Sequence, residues 1–154
     1  MTEIAALKFN GMQILEEFHT LVNPERHIPS GIERLTGITN EMVADAPTID
    51  EVMSDVRNFL AESVIVGHNV SFDFRFLNWY HYKCFEEYLV NETICTMKLS
   101  RQYLPHLPNK KLSTVGEYFG IVNEQAHRAM SDTLATLQIF QKYLEWEKHS
   151  RSED

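Results

Sequence analysis

The chain has 154 residues, 44% of them hydrophobic and 11% aromatic, which is enough for one substantial core and too short for two independent domains. A formal net charge of -8 argues against a protein that coats duplex nucleic acid by neutralising phosphates, yet suits one that approaches phosphates through metal ions held by carboxylates. No run of about 18 apolar residues occurs, the amino terminus Met1-Thr2-Glu3-Ile4-Ala5 is mixed, and Cys84 and Cys95 form no CxxC pair, so a cytoplasmic location with free thiols and no membrane contact is expected.

Ile4 to Phe9 and Met12 to Val22 are runs of apolar, branched and aromatic residues separated by Asn10-Gly11, the strongest short-range signal for a β-hairpin. From Asn23 to Asp45 the residues Pro24, Pro29, Gly31 and Gly37 break the chain into loops, with short helical turns around Ile32–Leu35 and Asn40–Val43. Thr48 and Glu51 have capping-box spacing. Ile49, Val52, Met53, Val56, Phe59 and Leu60 then recur at helical period and predict a helix to about Ala61. Val64-Ile65-Val66-Gly67 is a short uninterrupted apolar run, as in a strand buried on both faces.

Phe72, Phe74, Phe76, Leu77, Trp79 and Tyr80 predict a largely buried helix, followed by a short strand over Thr93–Thr96 and a helix over Met97–Leu104 that Pro105 stops. Lys111 to Phe119 ends at Gly120 like a helix with its terminating glycine. The longest helix is predicted over Ala129–Lys148, with a solvated tail at 148–154 after a domain at 1–147. A hairpin followed by strands interleaved with helices implies an α/β sheet covered by helices.

Asn69-Val70-Ser71-Phe72-Asp73 directly follows a predicted strand, where ligands commonly bind in open α/β sheets. The competing reading makes Ser71 the cap of the next helix and Asp73 a first-turn acid that complements its dipole. His127 and Asp132 are five residues apart, and on one continuous helix that spacing separates side chains by about 140°. They converge only if the helix starts after His127; otherwise both are ordinary surface groups.

In order and spacing, Asn69-x-x-Phe72-Asp73 and His127-x-x-x-x-Asp132 resemble the motifs of the DEDDh 3′–5′ exonuclease family, the group that includes the epsilon proofreading subunit of bacterial DNA polymerase III. Glu3–Leu7, Phe18–Pro24, Leu35–Thr39, Val66–Asn69 and Lys111–Ile121 are similar to further family segments, so the likeness covers nearly the whole chain. The resemblance implies an RNase H-like mixed sheet with helices on both faces, and hydrolysis of the 3′-terminal phosphodiester of single-stranded DNA or RNA ends to nucleoside monophosphates. It implies two divalent ions, magnesium or manganese. Asp73 and Asp132 would be metal ligands and His127 the general base. Leu35, Thr36, His68 and Phe72 would line the terminal-nucleotide pocket, and Asn69 would order the loop. Phe72 is read equally as a stacking ring and as a core aromatic, because Phe74 and Phe76 compete for the same interior; His68 is read equally as a histidine satisfied by the backbone.

One family motif, Asp-x-Glu on the first and central strand, has no counterpart anywhere in the 154 residues. The sequence begins where the family's second strand begins. Three expectations follow: an exonuclease domain whose first strand lies upstream of Met1; a catalytically inactive binding module of the same fold, which scaffolds a polymerase or another partner; or a sheet completed by a strand from another chain.

Overall fold

A computed structural model describes residues 1–152, the last two of them by backbone alone. The hairpin forms as the Asn-Gly pair predicts: β1 (Glu3–Asn10) runs antiparallel to β2 (Gln13–Leu21), from Glu3 opposite Leu21 to Asn10 opposite Gln13. Gly11 takes the first place of the two-residue turn at φ 63°, a conformation that is costly for a side chain with a Cβ. A bulge between Lys8 and Phe9 skips Leu15.

Two short helices follow, α1 (Ser30–Thr36) and α2 (Asn40–Val43), and the Asn40 side chain ties them together by bonding Ile28 and Glu33. The predicted capping box is present: Thr48 and Glu51 cap α3 (Ile49–Leu60), which buries Ile49, Val52, Met53 and Val56 against Ile4 and Val22 of the hairpin. The chain continues through β3 (Ile65–Gly67), α4 (Val70–Phe85), β4 (Thr93–Cys95), α5 (Thr96–Tyr103), α6 (Leu112–Tyr118) and α7 (Ala129–Ser152). β3 and β4 pair in parallel, Ile65 opposite Thr93 and Gly67 opposite Cys95. Helix α7 continues through Lys148 to Ser152, across most of the stretch expected as a tail.

Among the described residues the strands make two separate two-stranded sheets, β1–β2 and β3–β4. α7 packs against both β1 and β3 and so spans the gap between them, while α4 packs against β3, β4 and α3. The core is divided accordingly. One cluster joins the hairpin to α3 and α4, and another joins Leu104 and Val115 to Ile139 and Tyr143 of α7. This is a mixed α/β arrangement with helices on both faces of a strand layer that is interrupted in its middle.

Two expectations fail here. The run Val64–Gly67 is not buried on both faces: Val64 is 47% exposed and Ile65 to Gly67 are half-buried, because the edge of β3 away from β4 has no strand beside it. Nor is α4 largely buried. Only Val70 and His81 are, whereas Phe72, Phe76 and Trp79 are exposed. Ser71 does not cap this helix either, since the cap position is Asn69 and Ser71 lies inside the first turn.

Candidate active site

The gap between the sheets is a cleft of about 500 Å³. β1 lines one side from Glu3 to Leu7, and Val64 to Gly67 line the other. Its floor is α7, through Ala129, Asp132, Thr133, Thr136 and Leu137; α3 and α4 close it with Val56, Phe59, Leu60, Phe74 and Leu77. These walls are mostly apolar, and Glu3, His68, Asp73 and Asp132 are the titratable side chains among them.

Asp73 sits in the first turn of α4, which Asn69 opens from a left-handed backbone conformation at φ 64°. The residue is exposed overall, but the cleft wall partly strips water from its carboxyl, and this burial pushes its pKa above the usual carboxylate range. Asp132 lies in the first turn of α7. Its Oδ1 accepts 2.7 Å from the Asn123 side-chain amide and 3.4 Å from the His127 backbone N–H, and Asn123 is in turn held by the Ser131 hydroxyl.

α7 starts at Ala129, after His127, as convergence of His127 with Asp132 requires. His127 occupies the preceding turn at φ 72°, with its side chain exposed. What holds this turn is Glu3. Its side chain is only 4% exposed, and it accepts from Arg128 (2.8 Å from Nη2, 3.2 Å from Nε), from the Ala129 N–H at 2.8 Å, and stands 2.8 Å from His19 Nε2. Burial alone would raise the Glu3 pKa, but these donors outweigh it and hold the carboxyl at about 2. The edge of β1 is thereby clamped to the start of α7.

His68, at the end of β3, spends both ring nitrogens on the protein. Nε2 stands 2.7 Å from the Lys110 carbonyl, to which it must donate, and Nδ1 stands 2.9 Å from the Thr96 hydroxyl. Burial lowers its pKa, against an opposing pull from the Lys110 carbonyl and the charge of Asp132. Gly67 beside it allows the close turn into α4, since a Cβ there would lie 2.9 Å from the Val70 side chain.

The remaining predicted residues lie outside the cleft lining. Leu35 is half-exposed on α1, and the Thr36 hydroxyl bonds locally, donating to Ile32 and accepting from Ile38. Phe72 is 51% exposed beside Phe76, which excludes its reading as a core ring. Sequence reasoning missed Arg128, Asn123 and Lys110 as partners of the site. The Glu3–Arg128 pair joins residues 125 apart, and no local spacing announces it.

Whether divalent ions fit can be judged from the donor set. Among the described residues no three His, Cys, Asp or Glu side chains converge to hold an ion. Asp73 and Asp132 face the cleft, Glu3 is committed to Arg128, and no other carboxylate lines it. The described residues do not by themselves form a two-ion centre.

Residues 1–140 match the exonuclease family of RNase T. The DNA polymerase III subunit epsilon of Aquifex aeolicus (strain VF5) is 39% identical over 149 residues, 96% of this chain and 74% of that protein. A DNA polymerase III of the PolC type from Bacillus subtilis (strain 168) is 39% identical over 143 residues, 92% of this chain and 10% of that protein. Among solved structures, exonuclease X in complex with 5′ overhanging duplex DNA is 28% identical with a TM-score of 0.73, over 94% of this chain and 83% of that one. The nuclease domain of 3′hExo, a DEDDh family member bound to rAMP, superposes with a TM-score of 0.80 over 94% and 80% of the two chains; at 19% identity this shows the fold alone. With the motif residues Asp73 and Asp132 on the cleft of an RNase H-like frame, the chain belongs to the DEDDh family of 3′–5′ exonucleases.

Proposed function

We propose that this chain supplies the frame of a 3′–5′ exonuclease for single-stranded 3′ ends of DNA or RNA, and that hydrolysis requires one further strand, bearing acidic residues, in the cleft between β1 and β3. One observation carries the reading: among the described residues two strand edges without partners line one mostly apolar cleft, and Asp73 and Asp132 line it with them. Unpaired backbone N–H and C=O groups on both walls favour an extended segment as the occupant.

In the completed site Asp73 and Asp132 would join the added carboxylates as ligands of magnesium or manganese ions, the chemistry suited to oxygen donors and phosphate. We read His127, on the exposed turn ahead of α7, as the group that takes the proton of the attacking water; its ring makes no hydrogen bond among the described residues, which leaves it available. His68 holds the end of β3, and Asn69 sets the entry into α4. Leu35, Thr36 and Phe72 offer contacts to the terminal nucleotide from outside the cleft. Proofreading beside a DNA polymerase is the role suggested by the epsilon relative.

The test is metal-dependent release of nucleotides from a 3′-labelled single-stranded oligonucleotide. It compares this chain, its Asp132→Ala variant, and a protein extended upstream of Met1 in its own coding sequence. Activity confined to the extended protein is the expected result. Activity of the 154-residue chain that Asp132→Ala abolishes would show that no added strand is needed, and silence from all three would assign the fold to binding without catalysis.

A further inference from the structure

The aromatic face of α4 is unusual for a helix that packs on a sheet. Phe72, Phe76 and Trp79 recur at intervals of four and three and form one stripe, with exposures of 51%, 43% and 58%. Phe72 and Phe76 touch edge to face with centroids 5.1 Å apart. Arg75, Phe76, Trp79 and Tyr80 wall a shallow open cleft of about 320 Å³. The Arg75 guanidinium makes no ion pair or hydrogen bond among the described residues.

From this face we infer a binding track for the single-stranded nucleic acid on the 5′ side of the reacting 3′ terminus, its bases stacking on Phe76 and Trp79 and a phosphate meeting Arg75. The inference rests on the exonuclease reading and extends it to residues that touch no reacting atom. Three observations favour nucleic acid as the occupant. The stripe begins at Phe72, in the same first turn of α4 as the cleft residue Asp73, so its start lies at the end of the helix that borders the candidate active site. The charged residue of its cleft, Arg75, makes no ion pair among the described residues, and Lys83 Nζ stands 5.7 Å from the Trp79 ring, so cations on this face of a chain of net charge -8 offer an anionic polymer a local foothold. Its length also fits: Phe72 to Trp79 rises about 10 Å along the helix, the span of about three nucleotide steps in a stacked strand. Aromatic rings bind bases of any sequence through their faces, as an enzyme that shortens a strand stepwise requires.

The test measures binding of 3′-labelled deoxyoligonucleotides of two and of ten nucleotides to the 154-residue chain in EDTA, where hydrolysis plays no part. Circular dichroism confirms the fold of each variant. Trp79→Ala and Phe76→Ala should each weaken the ten-mer by about tenfold and leave the dinucleotide unchanged. Arg75→Gln should lower the slope of log affinity against log salt by about one. Equal affinity of Trp79→Ala and the parent for the ten-mer overturns the proposal, as does absence of ten-mer binding by the parent. If Trp79→Ala leaves oligonucleotide affinity intact but abolishes self-association of the parent in sedimentation, the face belongs to protein contact and the track is refuted. The upstream-extended protein separates this proposal from the one it rests on. Normal hydrolysis and KM in its Trp79→Ala variant would sink the track alone, whereas Trp79-dependent binding with no hydrolysis would sink the exonuclease reading alone.

Discussion

Replacing Glu3 by Gln should loosen the turn that carries His127 and cost the fold about 2 kcal/mol at pH 7. The magnitude comes from the carboxyl itself, which is held at about 2 instead of 4.5. Each pKa unit corresponds to about 1.4 kcal/mol, so the charged form gains about 3 kcal/mol from its folded surroundings. That figure is an upper bound, because the Arg128 side chain is 28% exposed and recovers water when its partner is lost. Gln keeps the size and can still accept from the Ala129 N–H, but it loses the charge that binds Arg128 and His19. For a folded pKa below the unfolded one, the contribution is complete above about pH 4.5 and disappears as the pH falls toward 2. Thermal unfolding followed by circular dichroism should therefore show Glu3→Gln melting about 4–8 °C below the parent at pH 7, with the difference shrinking between pH 4.5 and 2. Equal melting temperatures at pH 7, or a difference that persists unchanged at pH 2, would refute the reasoning.

His68 is half-buried with its pKa lowered, so the unfolded chain takes up a proton there before the folded one does; stability should fall as the pH drops below 6.5, and His68→Gln should lose less than the parent between pH 6.5 and 5 in urea titrations. Tyr143 donates to the Ser100 hydroxyl at 2.8 Å, and Ser100 donates to the Thr96 carbonyl at 2.7 Å, all in the core. Ser100→Ala should cost about 1–3 kcal/mol by stranding the Tyr143 hydroxyl, and adding Tyr143→Phe should restore part of that loss in a double-mutant cycle. Gly67→Ala should cost about 1–3 kcal/mol through the 2.9 Å clash with Val70, and Val70→Ala should recover part of it in denaturant unfolding.

What the sequence discloses is governed by range. Asn10-Gly11 specifies the hairpin, and Thr48 with Glu51 specifies the start of α3, because turn and cap chemistry act within four residues. The start of α7 could be deduced as well, since His127 and Asp132 cannot converge on one helix. Family motifs singled out Asp73, Asp132 and His127 as candidates, of which the two aspartates line the cleft. The clamp of Glu3 on Arg128, the hold of Asn123 on Asp132 and the tether of His68 to Lys110 stayed invisible, because their partners lie 125, 9 and 42 residues apart in chemistry that has no periodic signature.

The two structural misreadings have a different origin, and it bears on function. Apolar patterning reports what a face prefers to touch and says nothing of whether that contact lies within the same chain. Val64–Gly67 has the composition of a strand with neighbours on all sides, and α4 that of a helix covered by protein; both stand uncovered beside Asp73. Exposed apolar surface is costly in water, at about 25 cal/mol per Å², so the run of Phe72, Phe76 and Trp79 on one helix face is unlike the single exposed side chains scattered over any surface. The edge of β3 presents unpaired backbone and suits an extended polypeptide. The α4 stripe presents ring faces and an unpaired guanidinium, which suit stacked bases and phosphate. The two surfaces thus differ in chemistry, and the two proposals assign them different occupants, a strand to complete the site and a nucleic acid to enter it.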